Sequence, residues 1–452
     1  MNARIEKVIR NGLVVTSQSI FPADIAIGNG VIQEIGQNLG PYEQAEVIDA
    51  SGQYVLPGAV DVHVHFDTRP NPVDTLEALS RSAAWGGTTT IVPFLFIKPG
   101  RNITDTVPQA IEEGDKTAYI DFSFHPCFLD TKNQFQQIPN AVKMGLTSFK
   151  MVMTYARDGQ MTADDTLLTA MELIAENRGL AMVHCENGVV IDLLQARARE
   201  QGRVGADDWV ATQPNALETE AINRAIAIAS LPGCPLYIPH ISTGAALGPV
   251  ERAKANGQTV YAETLASYLL LTHEEVRKRG DIAKVGPPLR GDADRESLWS
   301  AIHQGTIDVV ATDHVAKDKK GSKNILNAPF GAPGAETLLT VMYDEGVNHG
   351  KLTLCRLVQL LSENPSKLFG LYPKKGTLQV SSDADLVVWD PRREQTITAN
   401  GQHTNAAYTL YEGRDCIGAP VLSLQRGKTV FANGELNAQP GQGCFLPRKS
   451  GT

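Results

Sequence analysis

Eight short apolar runs, separated by longer stretches of helical pattern, fill residues 57–370: GAVDVHVH (58–65), TTTIVPF (88–94), YIDFSFHPC (119–127), TSFKM (147–151), LAMVHCE (180–186), PLYIPHI (235–241), QTVYAET (258–264) and DVVATDH (308–314). Strands that alternate with helices build parallel sheet. An open doubly wound sheet would be expected to carry a glycine-rich GxGxxG turn between a strand and a helix, and none is present. Eight such units are what a closed (β/α)8 TIM barrel requires, and the stretch is long enough for one.

The ends of the chain read differently. RIEKVIRNGLVV, DIAIGNGVIQEIG and EVIDASGQYVLPG are β-rich runs with turn signals at Asn11-Gly12 and Asn29-Gly30, and the last 80 or so residues again show strand and turn without helix. The expected organisation is a small β-sandwich domain built from both termini, residues 1–55 and 371–452, around a barrel at 56–370. Acidic residues outnumber basic ones by 50 to 41, a net charge of −9, which gives no electrostatic footprint for nucleic acid or anionic lipid. No apolar run reaches the roughly 18 residues of a membrane span, and MNARIEKVIRNGLVV lacks a signal-peptide core, so a cytoplasmic address without membrane or nucleic-acid partners is expected. The six cysteines show no CxxC spacing and are expected to be reduced and mostly buried.

Five of the eight runs carry a metal-competent side chain near the C-terminal end: His63 and His65, Lys150, His184, His240 and Asp313. In a barrel those ends converge on the rim that holds the active site. His63 and His65, at i and i+2 on a strand, project from one face toward one cation, with Val62 and Val64 expected to face the helices. His184 or His240 alone reads as a hydrogen-bonded structural histidine, and Asp313 alone as a turn former; their shared position raises them to ligands, with Asp313 also a general base. Lys150 is the oddity, because an ammonium beside a dication is repelled and must be neutral or anionic there. His125 reads as structural, Glu186 as an outer partner of His184, Asn187 as either such a partner or a helix cap, and the lysine-rich run KDKKGSK (317–323) as a solvated loop.

With these residues in place the whole chain resembles the cyclic amidohydrolases of the metal-dependent amidohydrolase superfamily, in the dihydropyrimidinase and hydantoinase branch. The matching stretches are PGAVDVHVH (57–65), AAWGGTTTIVPF (83–94), SFKMVMTY (148–155), VHCENG (183–188), PHIS (239–242), GPPLR (286–290), TDH (312–314) and NPSKLFGLYPKKGTLQVSSDADLVVWDP (364–391). The resemblance implies two divalent metal ions, Zn2+ by family habit. His63, His65 and Asp313 would hold one and His184 and His240 the other, with carboxylated Lys150 and a hydroxide bridging them. It further implies that Asp313 shuttles the proton, that Tyr155 donates to the developing oxyanion, and that Gly286 and Phe330 line the substrate site. The implied reaction opens a dihydropyrimidine or 5-substituted hydantoin to an N-carbamoyl amino acid, and the implied assembly is a homotetramer. The alternatives are an allantoinase or another cyclic amidase with the same metals, and a non-catalytic scaffold relative. Dihydroorotases usually place an arginine two residues after the second histidine, where this chain has Asp67, its nearest arginine being Arg69; allantoinases commonly lack the tyrosine matched by Tyr155. Two positions depart from the dihydropyrimidinase pattern: Gly286 stands where serine is usual before PPLR, and Phe330 where asparagine is usual in a PNGxxG loop.

Overall fold

The protein is described by a computed structural model that covers residues 4–67 and 72–449; Arg69 lies outside the described residues. The N-terminal segment forms β1 (Lys7–Val15), β2 (Ile20–Gly28), β3 (Val31–Gly36), β4 (Glu46–Asp49) and β5 (Tyr54–Pro57). The middle of the chain supplies β6 (Ala59–Val64), β7 (Thr88–Ile97), β8 (Asp121–Phe122), β9 (His125–Phe128), β10 (Ser148–Val152), β11 (Leu180–His184), β12 (Leu236–Ile238), β13 (Val260–Leu265) and β14 (Val309–Ala311). The C-terminal strands are β15 (Leu386–Ile397), β16 (Arg414–Gln425), β17 (Lys428–Ala432) and β18 (Glu435–Leu436).

The middle strands pair in the order β6-β7-β9-β10-β11-β12-β13-β14, and β8 also pairs with β7. A parallel bridge from Val64 to His314 brings the last strand back to the first, giving the TIM barrel that the alternating runs imply. Its lumen is packed with strand side chains, among them Val60, Val62, Phe94, Met182, Tyr237 and Val309, while Phe369, Leu371 and Leu446 join the same cluster. Val62 therefore points inward, contrary to the expectation from simple alternation. The register of β6 against β7 slips between Asp61 and Val64, and only Val64 joins the cluster shared with the helices.

The two chain ends form one continuous mixed sheet, ordered β18-β17-β16-β15-β5-β1-β2-β3 with β4 beside β1. The ends meet where β5 runs antiparallel to β15, and Ile9, Val14, Ile25, Val55, Leu386 and Val388 belong to a core of their own. The Asn29-Gly30 signal makes the tight turn between β2 and β3, with φ of 53° and 77° as a type I′ hairpin needs. Asn11-Gly12 does not turn the chain. It lies within β1 as a bulge, with Asn11 at φ 61°, because β1 continues past it to pair with the whole of β2. Among the described residues no helix is long and apolar enough to cross a membrane.

A buried ion cluster joins sheet and barrel. The Lys375 ammonium lies 2.5 Å from Asp121 of β8 and 2.8 Å from both Asp383 and Asp385, and Arg426 of the terminal sheet also pairs with Asp121. Burial opposes the charge on Lys375, but Asp385 and Asp121 outweigh it and hold the amine well above the ordinary lysine range. Lys375→Met would leave buried carboxylates without their cation. It is expected to lower stability by about 3–5 kcal/mol, read as a reduced midpoint at unchanged slope in urea unfolding. An unchanged midpoint would show that Arg426 alone neutralises the cluster.

Candidate active site

The C-terminal ends of the barrel strands bring the expected residues together. His63 ends its run on β6 with His65 just beyond, Lys150 sits within β10 and His184 closes β11. His240 and Asp313 each lie two residues past β12 and β14, in turns where the backbone is left-handed, at φ 43° and 48°. Tyr155, three residues beyond β10, shares that conformation at φ 61°. Left-handed backbone is costly for residues with a Cβ, and it clusters where a site over-determines the geometry.

Asp313 Oδ1 lies 3.2 Å from His63 Nε2 and 3.1 Å from His65 Nε2. The His63 ring is 5.1 Å from that of His240, which is 4.4 Å from that of His184, so the four imidazoles form one group. The Lys150 ammonium lies 4.7 Å over the Phe94 ring and has no hydrogen bond or ion pair among the described residues. Its burial pushes the amine pKa down, favouring the neutral form that carboxylation requires.

Proton placement tests whether these residues suit a metal. Glu263 of β13 accepts from His63 Nδ1 at 2.6 Å, so in the neutral ring the lone pair sits on the opposite nitrogen, Nε2. Nε2 faces the Asp313 carboxylate and is buried without a hydrogen bond, as is Nδ1 of His65. A neutral His63 and an ionised Asp313 would be two facing acceptors, an arrangement that needs a cation between them. A proton can fill that place: burial opposes a charge on His63, yet Glu263 and Asp313 prevail and push its pKa up to about 9, and a metal ion would take the same place. Burial likewise opposes ionisation of Asp313, but His63 and His65 hold it well below the usual carboxylate range. His184 and His240 are shifted down, foremost by burial, and are neutral imidazoles with lone pairs to offer. The donor set of nitrogen and carboxylate oxygen is one that suits a zinc-class ion.

Tyr155, Gly286 and Phe330 also meet. The Tyr155 ring is 5.5 Å from His184 and 6.1 Å from Phe330. A Cβ on Gly286 would come within 2.9 Å of the Phe330 ring and 3.6 Å of the Tyr155 hydroxyl. The loop that carries Phe330 is stapled by two buried lysines. Lys284 donates to the carbonyls of Ile325 (2.7 Å) and Ala328 (2.6 Å), and its ammonium lies 4.3 Å over Phe330; Lys319 donates to the Lys284 carbonyl at 2.9 Å and to that of Gly331. The run KDKKGSK is therefore not a solvated loop throughout: Lys317 and Lys319 are buried, and Lys319 spends its ammonium on loop carbonyls that need donors.

Several contributors escape the sequence reading. Glu263 fixes His63 and also accepts from the Tyr237 hydroxyl and the His240 amide, and its signal was a carboxylate ending the apolar run QTVYAET. Asp61 accepts from the His63 amide and the Thr312 hydroxyl, with its pKa pushed up to about 6, chiefly by burial. His314 donates to Asp74 at 2.9 Å and accepts from the amides of Gly334 and Ala335, tying TDH to the next loop. Glu186 does pair with His184, at 2.7 Å, and Asn187 caps the helix Gly188–Glu200.

The model of the Amidohydrolase family matches residues 54–430. A D-hydantoinase from Ralstonia pickettii is 37% identical over 98% of this chain and 98% of its own. A D-phenylhydantoinase from Escherichia coli O1:K1 is likewise 37% identical over 98% of each chain. The crystal structure of a dihydropyrimidinase from Brevibacillus agri superimposes with a TM-score of 0.95, at 33% identity over 99% of both chains.

Glu263→Gln keeps the size of the side chain but removes the charge that orients His63. Metal affinity, measured by chelator competition, is expected to fall by about 10–100-fold with the fold retained. Unchanged affinity would show that His63 needs no such partner.

Proposed function

The chain belongs to the amidohydrolase family, and from that premise we propose that it hydrolyses the ring amide of a dihydropyrimidine or 5-substituted hydantoin to give an N-carbamoyl amino acid. It is a cyclic amidohydrolase, as relatives matched over almost its whole length indicate. The observation that carries the finer reading is the pairing of His63 Nε2 with Asp313 Oδ1 at the rim, two groups that meet only across a proton or a metal ion, with a second histidine pair beside them and an unpartnered lysine below.

His63, His65 and Asp313 would hold one divalent ion, His184 and His240 the second, and Lys150, carboxylated on its amine, would serve both. Bound there, the ions would supply Lewis-acid polarisation of the ring carbonyl and acidify water. Asp313, ionised and aimed into the site, takes a proton from the attacking water. The new C–O bond forms first, opening the carbonyl to a tetrahedral oxyanion; the ring C–N bond then breaks as Asp313 returns the proton to the departing ring nitrogen, so that one water is consumed. The Tyr155 hydroxyl, which burial above all keeps protonated, donates to the developing oxyanion. Gly286 opens its backbone to the ring amide, and Phe330 closes the apolar side of the site.

A panel of dihydrouracil, hydantoin, 5-phenylhydantoin, allantoin and dihydroorotate, followed for ring opening, tests the substrate class. Turnover is expected on the hydantoins or dihydrouracil; turnover confined to allantoin or dihydroorotate would overturn the assignment. Elemental analysis is expected to find about two zinc-class ions per chain. Lys150→Ala is expected to lose them, whereas Asp313→Asn is expected to keep at least the ion held by His184 and His240 and yet lose turnover. A Lys150→Ala enzyme with full metal and full rate would refute the role given to that lysine.

A further inference from the structure

Arg448 stands near the chain terminus, yet only 3% of it is exposed. The tail reaches the barrel floor through backbone bonds, from Phe122 N to Cys444 O (3.1 Å), Leu446 N to Phe122 O (2.7 Å) and Arg448 N to Gly145 O (2.8 Å). Leu446 enters the lumen cluster, and the Arg448 guanidinium donates to Ser123 Oγ at 3.0 Å, to Ser148 Oγ at 2.6 Å and to the Phe124 carbonyl. No carboxylate pairs with it among the described residues. A buried cation without a counter-ion is expensive, and simple closure of the floor would be served as well by an apolar side chain.

The hydrogen bonds have a single consistent direction. Arginine only donates, so Ser148 Oγ accepts from it and is free to give its one hydrogen to His125 Nδ1, 2.5 Å away. His125 Nε2 faces the carbonyl of Val62 at 3.0 Å and must donate there. A hydrogen on Nδ1 as well would make an imidazolium beside the buried guanidinium, two like charges in one apolar interior. His125 is thus neutral, with its hydrogen on Nε2. Both ends of this chain of bonds lie under the candidate active site. Val62 immediately precedes His63, and Ser148 lies two residues before Lys150 on the same face of β10. The His125 ring also packs 5.1 Å from Phe94, whose ring contacts His63 at 4.9 Å, His65 at 4.7 Å and the Lys150 ammonium.

We propose that Arg448 is a positioning residue: inserted from the C-terminal tail, it turns the Ser148 hydroxyl toward His125 Nδ1 and so completes a chain of bonds, ending at the Val62 carbonyl, that fixes β6 and β10 beneath the metal-ligating side chains. The metal and activity readouts below rest on the function proposed above.

The test uses the full-length, metal-replete enzyme with 15N-labelled histidine, and His125→Asn identifies the ring signals. The wild type is expected to show the Nε2–H tautomer with a hydrogen-bonded Nδ1. Arg448→Met, which frees the Ser148 hydroxyl to turn away, is expected to shift the His125 Nδ1 resonance toward that of a free lone pair, to retain metal less tightly, and to lower kcat by about tenfold or more with KM within twofold, as loss of an outer-shell partner does. Arg448→Lys is expected to recover at least half the wild-type rate. Should Arg448→Met fail to fold, Ser148→Ala carries the test, since it breaks the link while leaving Arg448 its bonds to Ser123 and Phe124. An unchanged His125 Nδ1 resonance, metal retention and kcat in a folded variant, with only a lower melting temperature, would overturn the proposal. A wild type inactive on every cyclic amide would sink the proposed substrate class instead, and leave the Nδ1 and metal readouts to decide this one.

Discussion

One buried carboxylate organises the rim. Glu263 accepts from His63 Nδ1, the Tyr237 hydroxyl and the His240 amide, so it joins β6, β12 and β13 at the level where the imidazoles emerge. Because it takes the His63 hydrogen on Nδ1, the other nitrogen faces Asp313 and needs a cation, a proton or a metal ion, between the two. The two carboxylates around His63 therefore favour positive charge at that point, which is why they raise the affinity of the ring for a proton against the cost of burial.

The rest of the barrel keeps that arrangement from relaxing. His63 cannot swing away, since Phe94 and His240 pack against it, and Asp313 is placed by a left-handed backbone that the neighbouring His314 secures through Asp74 and the amides of Gly334 and Ala335. Lys284 and Lys319 spend their donors on loop carbonyls. Burial, first among the causes, pushes the Lys284 pKa down to about 7, so this staple is made by an ammonium close to its titration point.

The strand ends carrying His63, His65, Lys150, His184, His240 and Asp313 were legible in the sequence because each terminates an apolar run, and a barrel has one rim at which such ends converge. What lay hidden depends on contacts between distant segments. Glu263 is 200 residues from His63, and nothing local distinguishes it from any acid at a strand end. Asn11-Gly12 reads locally as a hairpin turn, but pairing along the whole of β1 makes it a bulge. The inward turn of Val62 follows from a register slip that period-two alternation cannot express. Lys317 and Lys319 lie buried in a charged, loop-like run, and for Lys319 the carbonyls of Lys284 and Gly331 explain the burial.

The same reasoning joins two departures that the sequence presents as separate. Gly286 and Phe330 are 44 positions apart, and each differs from the dihydropyrimidinase pattern. In space they are one feature: the Phe330 ring edge lies where a Cβ on residue 286 would be, at 2.9 Å, a distance real Cβ contacts do not show. A side chain at 286 and the ring at 330 in this pose exclude each other, so a serine at 286 would displace the Phe330 ring, whereas an asparagine at 330 beside Gly286 would meet no such contact. The ring is further held by the Lys284 ammonium on its face and by the edge-on packing of Trp209, at 6.2 Å, and Tyr155. The wall beside Tyr155 is thus aromatic where the dihydropyrimidinase pattern has polar side chains, and the missing side chain at 286 is what leaves room for the ring.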